Sequence, residues 1–156
     1  MRTISDLYGE LKKLNSSLES IITASNYSEY GDLSGLELDA KDPEQRLLRE
    51  ELRSILDYLE RASSNISYLS QPIEYSGKLH KQDNGRYMLD GYELTSGSGL
   101  EALLPCEIYD TEQEDYIAGV EWVASRIEHN GKDYYLVGYP DLKLEGLQAR
   151  KRERRY

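Results

Sequence analysis

Phenylalanine is absent from this chain, cysteine and tryptophan occur once each, and proline occurs four times in 156 residues. A lone Cys106 excludes an intramolecular disulfide framework and fits a reducing compartment. Without Phe, aromatic packing falls to 14 tyrosines, whose hydroxyls need water or a partner at the rim of any core. No apolar run approaches the ~20 residues that span a bilayer, so no membrane association is expected. The segment MRTISDLYGELKK carries charge where an export signal needs an apolar centre, so a cytoplasmic location is expected. His80 and His129 are isolated, and Cys106 has no Cys or His at metal-ligand spacing. Neither a metal site nor a cofactor is therefore expected. The run Thr95-Ser96-Gly97-Ser98-Gly99 lacks the Gly-Lys-Ser/Thr ending of a phosphate loop and reads as a flexible connection. No nucleophile or acid–base pair gives a local signal, so no catalytic residue is assigned and the chain does not read as an enzyme.

What the chain does have is a heptad rhythm that stops at Gln71-Pro72. Ile4, Leu7, Leu11, Leu14, Leu18 and Ile21 lie three and four apart, which predicts a helix from about Ile4 to Ala24 capped by Thr3 or Ser5. Leu48, Leu52, Ile55, Leu59, Ala62, Ile66 and Leu69 repeat the pattern in a second helix. Asp42 is its N-cap, Pro43 its first residue, and Gln45 is positioned to complete a capping box. Residues 26–41 form a long connection from which Leu33, Leu36 and Leu38 can fold back. Two helices with one apolar stripe each need one another or a partner chain. An antiparallel hairpin within the chain and a coiled-coil homodimer sharing the seam both satisfy that need.

After Pro72, short Tyr-rich runs alternate with turn pairs. Tyr75–Lys81 and Arg86–Leu89 flank Asn84-Gly85, which predicts a type I′ turn. Asp90-Gly91 leads to Tyr92–Leu94, and Leu100–Leu104 is closed by Pro105. Glu121–Glu128 and Lys132–Gly138 flank His129-Asn130-Gly131. Tyr134-Tyr135-Leu136-Val137 is apolar on both faces and so reads as a central strand. Leu142–Leu147 is the last expected strand. The fold class is thus α+β: an N-terminal antiparallel, coiled-coil-like helical hairpin (1–71), then a small antiparallel β-domain (72–149), an SH3-like barrel or curved sheet. Residues 150–156 form a basic tail.

The net charge of −10 is unevenly spread. Residues 1–72 carry 13 acids against 8 bases, residues 73–149 carry 15 against 6, and the tail carries 1 against 5. Glu107, Asp110, Glu112, Glu114, Asp115 and Glu121 place six carboxylates in fifteen residues with no base among them. A ridge of this kind can imitate backbone phosphates and occupy a protein's cationic groove, with Tyr109 and Tyr116 as anchors. The alternative is a solvated acidic loop between strands. Arg150, Lys151, Arg152, Arg154 and Arg155 can contact nucleic acid, fold back on the acidic segment, or merely solubilise the end. Base stacking on Tyr87, Tyr92 and Trp122 would need a basic track that this domain lacks, so Trp122 and Tyr134 read as core.

Gly77-Lys78-Leu79, Gly85-Arg86-Tyr87, Glu93-Leu94-Thr95-Ser96-Gly97 with Leu100-Glu101, and the Trp122…Ile127 and Tyr134-Tyr135-Leu136 hairpin together resemble a small β-rich domain family of unknown function. The resemblance covers about Tyr75 to Gln148, and it implies a Firmicute family whose members tend to occur in mobile elements. It implies a role in element transfer or in suppressing host defence and supplies no catalytic residue. With the charge pattern, it leads to the expectation of a non-enzymatic inhibitor of anti-CRISPR or anti-defence type. Such a factor would block a basic nucleic-acid-binding surface of a host protein such as a CRISPR nuclease. The alternatives are a DNA-associated accessory protein using the basic tail, and a coiled-coil oligomeric scaffold.

Overall fold

A computed structural model describes residues 2–27, 33 and 36–153. Helix α1 (Ile4–Ala24) begins at a reciprocal capping box. Thr3 Oγ1 accepts from Asp6 N at 3.1 Å, and Asp6 Oδ2 accepts from Thr3 N at 2.8 Å. These bonds to Thr3 hold the Asp6 carboxyl below its ordinary value. Helix α2 (Pro43–Ser70) starts at Asp42, whose Oδ1 accepts from Glu44 N at 2.9 Å. Gln45 does not close a capping box there. Its Oε1 instead accepts from Asp39 N at 2.9 Å and ties down the incoming chain.

The helices run antiparallel. Tyr8 meets Ser70 at 2.9 Å and Asn15 donates to Ser67 at 3.0 Å, while Ile22 packs with Leu56 and with Leu33 from the connection. The heptad leucines fill the seam only in part. Leu18, Ile22, Leu56 and Ile66 are buried, with Ser63 among them, but Leu7, Leu14, Ile21, Leu48, Ile55 and Leu69 stay about half exposed. The apolar stripe is wider than one helix–helix contact, and the hairpin covers one edge of it. Of the connection's leucines, Leu33 is buried and Leu36 is not.

The chain divides into two units, Met1–Gln71 and Pro72–Tyr156. The second is built from β1 (Ile73–Lys78), β2 (His80–Lys81), β3 (Tyr87–Leu89), β4 (Tyr92–Leu94), β5 (Gly99–Asp110), β6 (Asp115–His129), β7 (Tyr134–Leu136) and β8 (Gln148–Arg152). One sheet has the order β1-β8-β5-β6-β7 and the other β2-β3-β4, all antiparallel. Neither sheet closes, so the barrel alternative does not form. Leu79, Leu89, Leu94, Ile127 and Leu136 are fully buried between them, with Tyr87, Leu100, Leu104, Leu144 and Ala149 around.

Four local expectations are corrected. Asn84-Gly85 is not a type I′ turn: only Gly85 has positive φ (83°), and Gln82 N donates to Arg86 O at 2.7 Å across a three-residue loop. The I′ pair is Asp90-Gly91, at φ 48° and 81°, directly between the paired Leu89 and Tyr92. Tyr134–Leu136 lies at a sheet edge, because tyrosine rings are covered there by other rings, His129 at 4.9 Å and Tyr87 at 6.4 Å from Tyr134. Leu142–Leu147 is not a strand: Leu147 N turns back to Leu144 O, Gly146 sits at φ 79°, and Leu144 drops into the core. The last strand is instead β8, which takes in Arg150, Lys151 and Arg152 from the expected tail.

Candidate interaction arm

Strands β5 and β6 pair without interruption from Gly99↔Arg126 to Asp110↔Asp115. Their lower part is held in the sheet, but the neighbours stop early. β8 pairs with β5 only at Glu101 and Ala102, and β7 pairs with β6 only from Ile127 to His129. From Leu103 to Trp122 the ribbon therefore has two strands and, among the described residues, no third. Pro105 does not end β5, since a strand without a second neighbour tolerates a missing N–H. Six residue steps lead from Leu104↔Glu121 to Asp110↔Asp115, so the arm reaches about 20 Å beyond the core at ~3.4 Å per residue.

Side chains alternate across such a ribbon, and paired residues share a face. One face continues the core upward from Ala102 and Leu104 through Cys106, Ile108 and Ile117 to Asp110 and Asp115. Gly119 on this face leaves room for Ile108: a Cβ there would stand 2.1 Å from Ile108 Cδ1. The other face carries Trp122, Val120, Pro105, Tyr109 and Tyr116, the two tyrosine rings meeting at 5.3 Å. Val120 is 61% exposed and Tyr116 64%. With Tyr109 at 52%, they leave this face of the ribbon largely open to solvent.

The six carboxylates singled out in the sequence do not form one ridge. Asp110, Glu112, Glu114 and Asp115 gather at the tip; Glu107 lies on the aromatic face, and Glu121 lies on the opposite face near the base. Asp110 Oδ1 accepts from Glu112 N at 2.8 Å and Asp115 Oδ1 from Tyr116 N at 2.7 Å, which shapes the turn. Among the described residues, no ion pair engages any of these six carboxylates. No Lys, Arg or His occurs between Arg86 and Arg126, so the whole arm is free of base.

The basic end goes elsewhere. Arg150 Nε bonds Glu101 Oε2, and Arg152 Nε bonds Glu101 Oε1 at 2.6 Å. Glu101 is 4% exposed. Arg150 also lies over Trp122, its Cζ 4.1 Å from the ring centroid, and Lys151 Nζ stands 5.0 Å from the Tyr92 centroid. Trp122 is thus not a core residue; it sits on the outer face beneath a guanidinium. Arg154 and Arg155 lie outside the described residues. Sequence reading missed Glu101 as the centre of this cluster. The available signal was Arg150 and Arg152 two apart, the period that puts both on one strand face.

The molecule is thus an α+β chain of two units, a helical hairpin and an open antiparallel sheet bearing an acidic, aromatic arm. Residues 77–151, the bulk of the sheet unit with its whole arm, match a family described as a domain of unknown function (DUF5348). No curated protein and no solved structure matches the chain. No helix among the described residues is long and apolar enough to cross a membrane.

Proposed function

We propose that this chain is a non-enzymatic interaction factor whose β5–β6 arm occupies a basic, nucleic-acid-binding surface of a host protein. The observation that carries the reading is a two-stranded ribbon free of base, acidic at its tip and with exposed aromatics on one face. Four carboxylates that no ion pair among the described residues neutralises present a negative end to a cationic groove and speed encounter with it. Tyr109, Tyr116 and Val120 supply contact area once the tip has docked. Enclosure of Arg150 and Arg152 around Glu101 favours this reading over DNA binding through the tail. The Firmicute mobile-element origin that the sheet unit's resemblance implies would point to a defence target, with a CRISPR nuclease as the type. The mechanism is then competitive inhibition by occupation of the DNA- or guide-binding surface.

Capture from a lysate of the native host, with mass-spectrometric identification, tests the proposal. The intact chain should retain a nucleic-acid-binding protein, and added DNA should release it. Changing Glu112, Glu114 and Asp115 together to Lys should weaken that capture by about 100-fold or more at low salt. Retention of the same protein with unchanged affinity by the reversed variant would remove the proposal.

A further inference from the structure

The helical unit carries a second apolar face that its own hairpin leaves open. Leu7, Leu14 and Ile21 are spaced by seven along α1 and are 55, 50 and 52% exposed. On α2, Leu48, Ile55 and Leu69 share a seven-residue row with Ala62 and are 57, 47 and 50% exposed. Residues seven apart stack into one row along a helix, drifting only ~20° per step. Both rows open on the same side of the hairpin, because one groove is lined by Ile21 of α1 together with Leu52, Ile55 and Leu59 of α2, with Leu33 and Leu36 of the connection at its end. The seam between the two helices is, by contrast, partly polar. Ser63 is buried in it, and Asn15, Glu19 and Ser67 bond across it. Part of the heptad set, Leu7, Leu14, Ile21, Leu48, Ile55 and Leu69, therefore faces outward, while Ser63 shares the inside with Leu18, Ile22, Leu56 and Ile66.

From this second, outward row we infer that the hairpin is half of a four-helix bundle, and that a second copy of this chain covers the open face. Heptad rows on two antiparallel helices are the knobs of a left-handed bundle, and another antiparallel pair presents the matching holes. The copy itself carries that pair, so a twofold axis suffices and no other chain is required. Half-exposed side chains of six Leu and Ile, with Ala62 and the flanking residues, amount to the order of the ~800 Å² that one partner contributes to a standard interface. Packing the two copies removes from water apolar surface that a two-helix unit cannot otherwise bury. The contact is distinct from a coiled coil sharing the Leu18–Ile66 seam, which each hairpin keeps. The dimer carries two arms, so a target with two binding surfaces is held with increased avidity. This inference is independent of what the arm binds.

Sedimentation of the full chain over a concentration series tests it. The expected mass is twice the 18.0 kDa of one chain, falling to one on dilution. A single-chain mass at ~100 μM, a concentration at which a standard interface is occupied, would overturn the inference. Leu14→Glu with Ile55→Glu should raise the dissociation constant at least 100-fold while retaining the helical circular-dichroism signal. Persistence of the dimer in that folded variant would place the contact elsewhere and also overturn it. A measurement on the unaltered chain covers the case of a variant that does not fold. Amide protection along residues 48–69 should fall as the chain is diluted, while that of Ile127 and Leu136 holds. Protection of 48–69 that is unchanged by dilution would contradict the inference.

Discussion

The two units spend their apolar residues in opposite ways. In the sheet unit, five large side chains are entirely withdrawn from water and six more buried residues surround them. In the helical unit the cluster is Ile22, Leu33 and Leu56, and most heptad leucines remain half in solvent. Two short sheets enclose a core from both sides, whereas two helices touch along a single line. A leucine count therefore says little about stability until it is known how many faces close over those leucines.

The largest effect should come from Glu101→Ala in the sheet unit. It leaves Arg150 and Arg152 without their shared carboxylate in a largely enclosed place, at a cost of about 3–5 kcal/mol. Urea unfolding followed by tyrosine fluorescence measures that loss. Next, Leu136→Ala should cost about 2–5 kcal/mol, because a fully buried side chain leaves a cavity. Leu47→Ala, at a position more than half exposed on α2, should change stability by no more than ~0.5 kcal/mol. Equal losses for the two leucine variants would erase the contrast between the units.

Acid sharpens the same comparison. Arg86 then Asn84 hold the Glu93 carboxyl low, Ser96 then Arg126 that of Glu128, Lys81 then the Tyr134 amide that of Asp133, and the Lys81 amide then His80 that of Glu145. All four belong to the sheet unit; in the helical unit Asp6, at the α1 cap, is held low as well. A depressed folded pKa stabilises above the ordinary values of 3.8 for Asp and 4.5 for Glu, and that stability is lost as pH falls through the folded values. Sheet-unit stability should therefore decline below about pH 4.5. Asp133→Asn should flatten part of that decline. A smaller gain is expected from Glu114→Gly, since Glu114 sits at φ 53°, where glycine relieves about 1 kcal/mol of strain.

Helix boundaries were legible because caps and periodicity agree locally: Thr3, Asp42, Pro43 and Pro72 punctuate the chain where the helices begin and end. Which leucines face inward was not legible, because a stripe of six or seven is wider than one contact and the sequence does not say which edge is used. The arm was hidden for a different reason. Acids and Pro105 have low strand propensity, yet a long two-stranded pairing with a four-residue turn extends β5 and β6 through Glu107–Tyr116. Strand β8 was hidden because Arg150, Lys151 and Arg152 read as a charged end, and only pairing along β1 and with Glu101 of β5 makes them a strand. The acidic residues were found by composition; their division into a tip cluster and two outlying carboxylates needed the register.

Hydrogen exchange on the complex captured from the host tests the central claim most directly. Amides from Cys106 to Glu121 should gain protection when the target binds, most strongly around Tyr109 and Tyr116. Protection gained only outside the arm, with residues 106–121 exchanging as in the free chain, would contradict the account.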